Sequence, residues 1–430
     1  MAFSLEVFQN RYLSPGQTRV DGILTVAALG EAPVTRTNAP LVLGFIVDRS
    51  GSMAGERLSA AIDAVLRGIA LLDERAWMFV VAFDARADVI VPECVASAEN
   101  KARAERAIRT LKAGGGTAMS TGLTLARTVF ERAPDAIRQA IFLTDGKNES
   151  EASSAVSGAL GRATGLFQCD CWGVGTDWQV GEVQQIATTL LGKASLIPDP
   201  AGVERAFRAA IEKASAKAMK DVRLRLWTPQ GATIAFVKQV SPAIEDLGAR
   251  AHTVAPQIRE VLTGAWSPGE SRDYHVALDV RLGKPGDEML ACRPSLVWLE
   301  PEAAGWVERE EKSASGRMFA AWSDDATLTS RIDAHVAHYT GADELARAIQ
   351  TGLDERSRGN EAAATQLLGR AVQLAHAAHD AEMTQRLAKV VDVVDAAQGT
   401  VRLRRDAAKV ATMDLELESR TTKRVAKKSP

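Results

Sequence analysis

Cysteine is scarce in this 430-residue chain, long apolar runs are missing, and neither sign of charge dominates. Each absence narrows the function. Four cysteines, Cys94, Cys169, Cys171 and Cys292, are too few and too irregularly spaced for a disulfide framework or a zinc site built on paired ligands. Cys169 and Cys171 alternate on an apolar stretch and read as buried thiols. No segment reaches the ~18 apolar residues of a membrane-spanning helix. The opening Met1-Ala2-Phe3-Ser4-Leu5-Glu6 shows no basic n-region followed by an apolar h-region. A formal net charge of −2 supplies no global field for nucleic acid or an anionic membrane. Five of six histidines lie beyond residue 270 and the sixth is His252, so no Ser/His/Asp set can be assembled. A Gly-x-x-x-x-Gly-Lys-Ser/Thr phosphate loop is missing as well. The expectation is a cytoplasmic protein that is not an enzyme.

What is present is globular: 46% hydrophobic and 25% charged residues, on a chain long enough for two or three domains, since single cores stop growing near ~250–300 residues. The chain is organised around Leu41-Val42-Leu43-Gly44-Phe45-Ile46-Val47-Asp48-Arg49-Ser50-Gly51-Ser52-Met53. The apolar run reads as a strand buried on both faces. A polar loop follows, and then Leu58, Ile62, Val65, Leu66 and Ile69 at helical spacing. In an open parallel sheet the carboxyl ends of strands are where ligands bind. Asp48, Ser50 and Ser52 put three oxygen side chains on one loop, a hard donor set suited to Mg²⁺, Mn²⁺ or Ca²⁺. Asp followed by Ser-Gly-Ser is also ordinary turn and capping chemistry.

Two later stretches extend the set. Gly114-Gly115-Gly116 allows close backbone approach and delivers Thr117. Ala140-Ile141-Phe142-Leu143-Thr144-Asp145-Gly146 is another short buried strand ending in an Asp-Gly turn. The combination of Asp48-x-Ser50-x-Ser52 with a distant Thr117 and a distant Asp145 resembles the metal-ion-dependent adhesion site of the von Willebrand factor type A (vWA) family, over about residues 40 to 217. The resemblance implies a Rossmann-like sheet. It implies a divalent cation, Mg²⁺ first and Mn²⁺ or Ca²⁺ next, held by Asp48, Ser50, Ser52, Thr117 and Asp145. It further implies that an exposed Asp or Glu of a partner protein completes the coordination. Arg49, Met53, Gly116 and Trp178 are the expected partner-contact residues.

Strand and helix alternate through this region, as in a doubly wound α/β sheet. Strands are expected at Trp77 to Phe83, Asp88 to Val91, Ala140 to Thr144, Leu166 to Val174 and Leu196-Ile197. Helices are expected at Lys101 to Leu111, Ser120 to Arg132, Ala152 to Thr164, Val180 to Leu191 and Val203 to Met219. From residue 220 the texture changes to alternating runs, Asp221 to Trp227, Ser271 to Leu282 and Leu290 to Glu300, that read as an antiparallel sandwich. Phe3 to Phe8 and Thr18 to Ala27 are strands too few to stand alone, so the α/β domain reads as an insertion in that sandwich. The expected segments are sandwich strands over 1–39 (with Ala32 to Pro40 as linker), the vWA domain over 40–217, the rest of the sandwich over 218–315, an alanine-rich helical, tetratricopeptide-like bundle over 325–400 and a charged segment with a mobile tail over 401–430. Its helices are placed at Ala342 to Leu353, Glu361 to His379 and Ala381 to Gln398.

This layout is similar to intracellular bacterial vWA proteins found near tellurite-resistance and phospho-signalling genes. It implies a stress or phospho-signalling assembly with a partner of the kinase, phosphatase or forkhead-associated (FHA) type. Thr421 and Thr422, set among basic residues, are the expected modification points. Two rival functions stand beside cation-dependent protein binding. One is an adaptor acting through the helices and tail, with the metal loop structural. The other is a metal-dependent hydrolase, against which Ser50 counts, because an Asp-nucleophile phosphatase carries its second Asp at that position.

Overall fold

The run from Leu41 to Asp48 is buried at every position but the first because it lies in the middle of a sheet with helices on both faces. Its single glycine has a packing reason. The Phe79 ring of the neighbouring strand lies where a Gly44 side chain would stand, 2.3 Å from the site of a Cβ. The computed structural model describes residues 2–29, 40–145, 148–175, 178–197, 208–214, 216–217, 219–302, 305–311 and 316–425. Residues 32–39 of the expected linker, Gly146, Lys147, Asp177, 203–207 of the expected closing helix and 426–430 of the expected tail lie outside them.

Among the described residues the α/β sheet has six strands, in the order Ala87–Val95, Trp77–Phe83, Leu41–Asp48, Ile137–Thr144, Gln168–Val174, Ala194–Ile197. All neighbours are parallel except the first pair. Helices Glu56–Leu71 and Ala98–Ile108 cover one face, and Met119–Phe130, Ser153–Ala163 and Val180–Thr189 the other. Each large apolar side chain buried this way contributes about 1.5–3 kcal/mol. Cys169 and Cys171 are both buried, with their sulfurs 3.9 Å apart. The closing helix ends before Met219, where its apolar pattern places its last residue. Residues 208–214 are helical, and Met219 already opens a strand, Met219–Trp227.

Two further sheets face each other across a second core. One orders Ala2–Gln9, Arg19–Leu29, Ser271–Val280, Ala232–Ser241 and Glu245–Asp246, all antiparallel. The other centres on Ile258–Trp266, Met219–Trp227 and Glu288–Glu302. Phe3 of the first sheet meets Trp266 and Trp298 of the second edge-on, with ring centroids 5.4 and 5.0 Å apart. Strand Arg19–Leu29 pairs with Ser271–Val280, so the α/β sheet falls in sequence between two strands that are neighbours in space. The amino end of the α/β sheet meets the sandwich through polar groups. Lys217 Nζ donates to Gln139 Oε1 (2.6 Å) and to Gln168, and burial pushes this ammonium down to about 7. Lys220 Nζ donates to the Pro134 carbonyl (2.9 Å) and Trp306 Nε1 to that of Asp135 (3.2 Å).

Beyond the sandwich, Ala334–Ser357 and Glu361–Ala377 pack as an antiparallel pair. The helix expected over Ala381 to Gln398 ends at Ala388 and gives way to a hairpin, Val391–Asp395 with Thr400–Leu403. Val390 and Val391 are buried there against the helix pair, and packing of β-branched residues decides for strand. The last helix, Lys409–Glu418, places Met413 and Leu417 in the α/β core and Leu415 in the helical core. The segment after it is docked, where the sequence reads as a free tail. The Ile244 amide donates to the Arg420 carbonyl (2.8 Å) and the Thr422 amide to that of Pro242 (3.0 Å). Arg424 pairs with the buried Asp273 (2.9 Å), and His338 Nε2 lies 2.9 Å from the Lys423 carbonyl oxygen. Backbone bonding and an ion pair to a buried carboxylate outweigh the mobility that composition suggests. Leu417→Ala is expected to cost roughly 2–3 kcal/mol in denaturant unfolding. It should also speed amide hydrogen exchange in Val180–Thr189 more than in Ala334–Ser357.

Candidate metal centre

Three loops meet at the carboxyl end of the α/β sheet. The first follows Asp48 directly, because the strand stops where its apolar run stops. The glycine loop lies beside it. The Gly51 amide donates to the Gly115 carbonyl (3.0 Å) and the Gly114 amide to the Arg49 carbonyl (2.9 Å). Gly115 has φ of +79°, a conformation that L side chains rarely adopt, and this lets the two backbones approach. The third loop starts at Asp145, at the end of the adjacent strand.

A continuous chain of hydrogen bonds joins four of the five predicted ligands. Asp48 Oδ1 accepts from the Ser50 amide (2.8 Å), and Ser50 Oγ lies 3.1 Å from Ser52 Oγ. Ser52 Oγ donates to Asp145 Oδ1 (2.9 Å). Thr117, the fifth, is buried on the neighbouring loop, where its amide donates to Ser150 Oγ (2.9 Å) and its carbonyl accepts from the Ser150 amide (3.1 Å). Both carboxylates are inaccessible to solvent. Two carboxylates and three hydroxyls form an oxygen-only set, which fits a hard divalent cation. Among the described residues no group of three or more His, Cys, Asp or Glu side chains is placed to hold a metal; the loop set, with two carboxylates, relies on hydroxyl oxygens for the rest.

The supporting residues carry no sequence signal of their own. Thr144 Oγ1 donates to Asp48 Oδ2 (2.6 Å), completing the hydrogen bonding of that carboxylate. Arg57, from the first turn of helix Glu56–Leu71, donates to Asp145 Oδ2 (2.6 Å). Glu151 accepts from the Ser120 amide (2.8 Å) and Asn148 Oδ1 from the Met119 amide (3.2 Å), fastening the third loop to the helix after Thr117.

The expected partner-contact residues separate. Met53 and Trp178 are buried, Met53 in the core beneath helix Glu56–Leu71 and Trp178 over Gly173 with Nε1 donating to the Gly175 carbonyl (3.0 Å). Neither faces outward, because loop residues at a sheet edge fold back onto the apolar ends of the strands. Arg49 is drawn back by Asp84 (2.9 Å) and Asp88, bracing the loop rather than extending into solvent. Gly116 packs against Ser150.

Burial pushes the Asp48 carboxyl up to about 6; the Thr144 and Ser50 hydrogen bonds pull it down and neighbouring Asp145 adds to the rise. The folded protein thus holds this proton more tightly than the unfolded chain, whose value is 3.8. Keeping Asp48 ionised destabilises the fold by roughly 3 kcal/mol above about pH 6, and the cost fades as pH falls toward about 4. Asp48→Asn is therefore expected to raise stability by roughly 1–3 kcal/mol above about pH 7 in EDTA. Urea unfolding across the pH range checks this: the gain should vanish at about pH 4.

The comparisons bear on the family and the fold. The family profile described as von Willebrand factor type A domain matches residues 43–147, and the von Willebrand factor type A C-terminal domain profile matches residues 373–419. The solved structure of a von Willebrand factor type A protein from Catenulispora acidiphila superposes with a TM-score of 0.89 at 38% identity, covering 98% of this chain and 97% of that one. The ArnB paralog VWA2 from Sulfolobus acidocaldarius shares the fold, with a TM-score of 0.65 at 16% identity over 97% of this chain and 98% of that one. Among curated proteins, an uncharacterized protein of Synechocystis sp. is 30% identical over 242 residues, 55% of this chain and 57% of that protein. Human inter-alpha-trypsin inhibitor heavy chain H4 is 27% identical over 167 residues, 36% of this chain and 18% of that protein. The chain thus spans 57% and 18% of the length of these curated relatives. Near-complete mutual coverage at 38% identity, with the family profile matched over residues 43–147, places the chain in the von Willebrand factor type A family.

Proposed function

We propose that the chain is a cation-dependent protein-binding module without catalytic activity, whose ligand surface is the loop cluster around Asp48, Ser50, Ser52, Thr117 and Asp145. One observation carries the reading: the hydrogen-bonded run Asp48–Ser50–Ser52–Asp145, with both carboxylates buried, Asp145 paired with Arg57 and Asp48 held by the neutral donors Ser50 and Thr144. Burying two carboxylates side by side costs stability, and a fold keeps such a cost where a counter-charge is to be received. Mg²⁺ suits the set best, because it accepts few protein ligands and retains water; Mn²⁺ and Ca²⁺ are the alternatives. When bound, such a cation supplies an electrophilic position for an outside oxygen. The partner group of matching chemistry is an exposed Asp or Glu carboxylate. Asp48 and Asp145 provide the charge, Ser50, Ser52 and Thr117 the neutral donors, and Thr144 fixes the orientation of Asp48.

The other units act in this reading as scaffold. Among the described residues no helix is long and apolar enough to cross a membrane. Partners in phospho-signalling remain the expectation of the layout alone.

The test is calorimetric titration of Mg²⁺ and Mn²⁺ into the full chain, followed by partner capture from native lysate in Mg²⁺ and in EDTA. Wild type is expected to bind one cation and to retain a partner only in Mg²⁺. Asp48→Ala and Asp145→Ala should each lower cation affinity by at least about tenfold, the scale of losing one carboxylate interaction of about 1.4 kcal/mol or more. Equal retention in every arm would move the interaction to the sandwich or the helices and overturn the reading.

A further inference from the structure

Arg57 is an unexpected occupant of a cation site. Its guanidinium donates to Asp145 Oδ2 at 2.6 Å, while Ser52 holds the other oxygen of the same fully buried carboxylate. The side chain lies in the first turn of helix Glu56–Leu71, whose start has no side-chain cap. Exposed amide hydrogens and the helix dipole make that turn electropositive and disfavour a cation there. Arg57 sits against that field with its head on Asp145. Its side chain is 35% exposed, so the head also has a route to water. Gly175 lies beside it, where a Cβ would stand 3.7 Å from Nε. The charge at the loops then divides in two. Asp145 is matched by Arg57, and Asp48 is satisfied by the neutral donors Ser50 and Thr144.

We infer that Arg57 is a built-in competitor of the divalent cation: it neutralises Asp145 when no cation is present, is displaced from Asp145 toward solvent when one binds, and so sets the cation affinity of the site. The inference rests on the proposed cation-binding reading and adds the residue that tunes it. Competition follows from elementary electrostatics, because a guanidinium and a divalent cation a few ångströms apart repel each other while both draw on the one negative charge of Asp145.

Arg57→Met and Arg57→Lys separate charge from packing. In calorimetric titration of Mn²⁺ into the full chain, Arg57→Met is expected to bind about tenfold or more tightly than wild type, from removal of one positive charge within a few ångströms of the cation. Arg57→Lys keeps the charge and should stay within about threefold of wild type. Thermal melting supplies the second readout. Arg57→Met should melt below wild type in EDTA, because Asp145 is left buried without a counter-charge, and Mn²⁺ should recover more of its stability than it adds to wild type. Equal or weaker Mn²⁺ binding by Arg57→Met, with wild type still binding, would overturn the role of Arg57 and leave the cation-binding reading standing. If neither protein bound Mn²⁺ or Mg²⁺, both would fall.

Discussion

Asp48 is a carboxylate placed where water does not reach, at the end of a strand buried on both faces, and the surrounding structure is arranged to tolerate it. The Ser50 amide and the Thr144 hydroxyl satisfy its two oxygens. Ser50 then leads to Ser52, Ser52 to Asp145 and Asp145 to Arg57, so the first and third loops are held by a chain that begins at that one buried charge. The glycine loop comes close because the Asp48 loop needs a neighbour for its backbone, and Arg49 is folded back by its ion pairs with Asp84 and Asp88. The apolar core beneath, from Phe45 and Ile46 to Phe142 and Leu143, supplies the stability that an ionised Asp48 withdraws. A site that destabilises its own scaffold is the usual trade between stability and function.

The parts of this arrangement legible in the sequence are those fixed by a strand's own end. Asp48 and Asp145 each terminate an apolar run, Ser50 and Ser52 follow at once, and Thr117 follows three glycines; nearness in sequence makes these placements readable. Thr144 was visible only as the last residue of a strand, because its value lies in facing Asp48 across a parallel pair. Arg57 looked like any polar position on an amphipathic helix, and only the meeting of that helix with a strand 88 residues further on gives it a partner. Exposure was the quantity least readable. Met53 and Trp178 stand in polar loops, yet the loops turn them inward over strand ends. Valines between charged residues around Val391 fit helical and strand periodicities equally, and contact with the helix pair decides between them.

The α/β unit is not closed by its own sequence neighbourhood. Met413 and Leu417, four residues apart on one face of the helix Lys409–Glu418, complete its core from the far end of the chain. On the other side of that helix Leu415 completes the helical core, and Arg420 to Arg424 continue onto the sandwich. One stretch thus fastens three units. The amino end of the sheet is held to the sandwich through Lys217 and Lys220, and the Asp48, Thr117 and Asp145 loops occupy the opposite, carboxyl end.

The pairing of Arg19–Leu29 with Ser271–Val280 also has a meaning in time. Ser271 bonds the Val26 carbonyl across 245 residues of sequence. At a ribosomal pace of about 5–20 residues per second, roughly 12–50 s pass between the appearance of the early strand and that of its neighbour. During that interval the strands Ala2–Gln9 and Arg19–Leu29, too few to stand alone, lack the neighbour that covers Arg19–Leu29 while the whole α/β unit is made. Arg19 and Asp21 put charge into that waiting strand, and it is later consumed in the pairs Arg19–Asp279 and Asp21–His275. Nascent chains halted inside the inserted domain would accumulate in this half-paired state, so translation speed through residues 41–217 governs how long the molecule is open to misassociation.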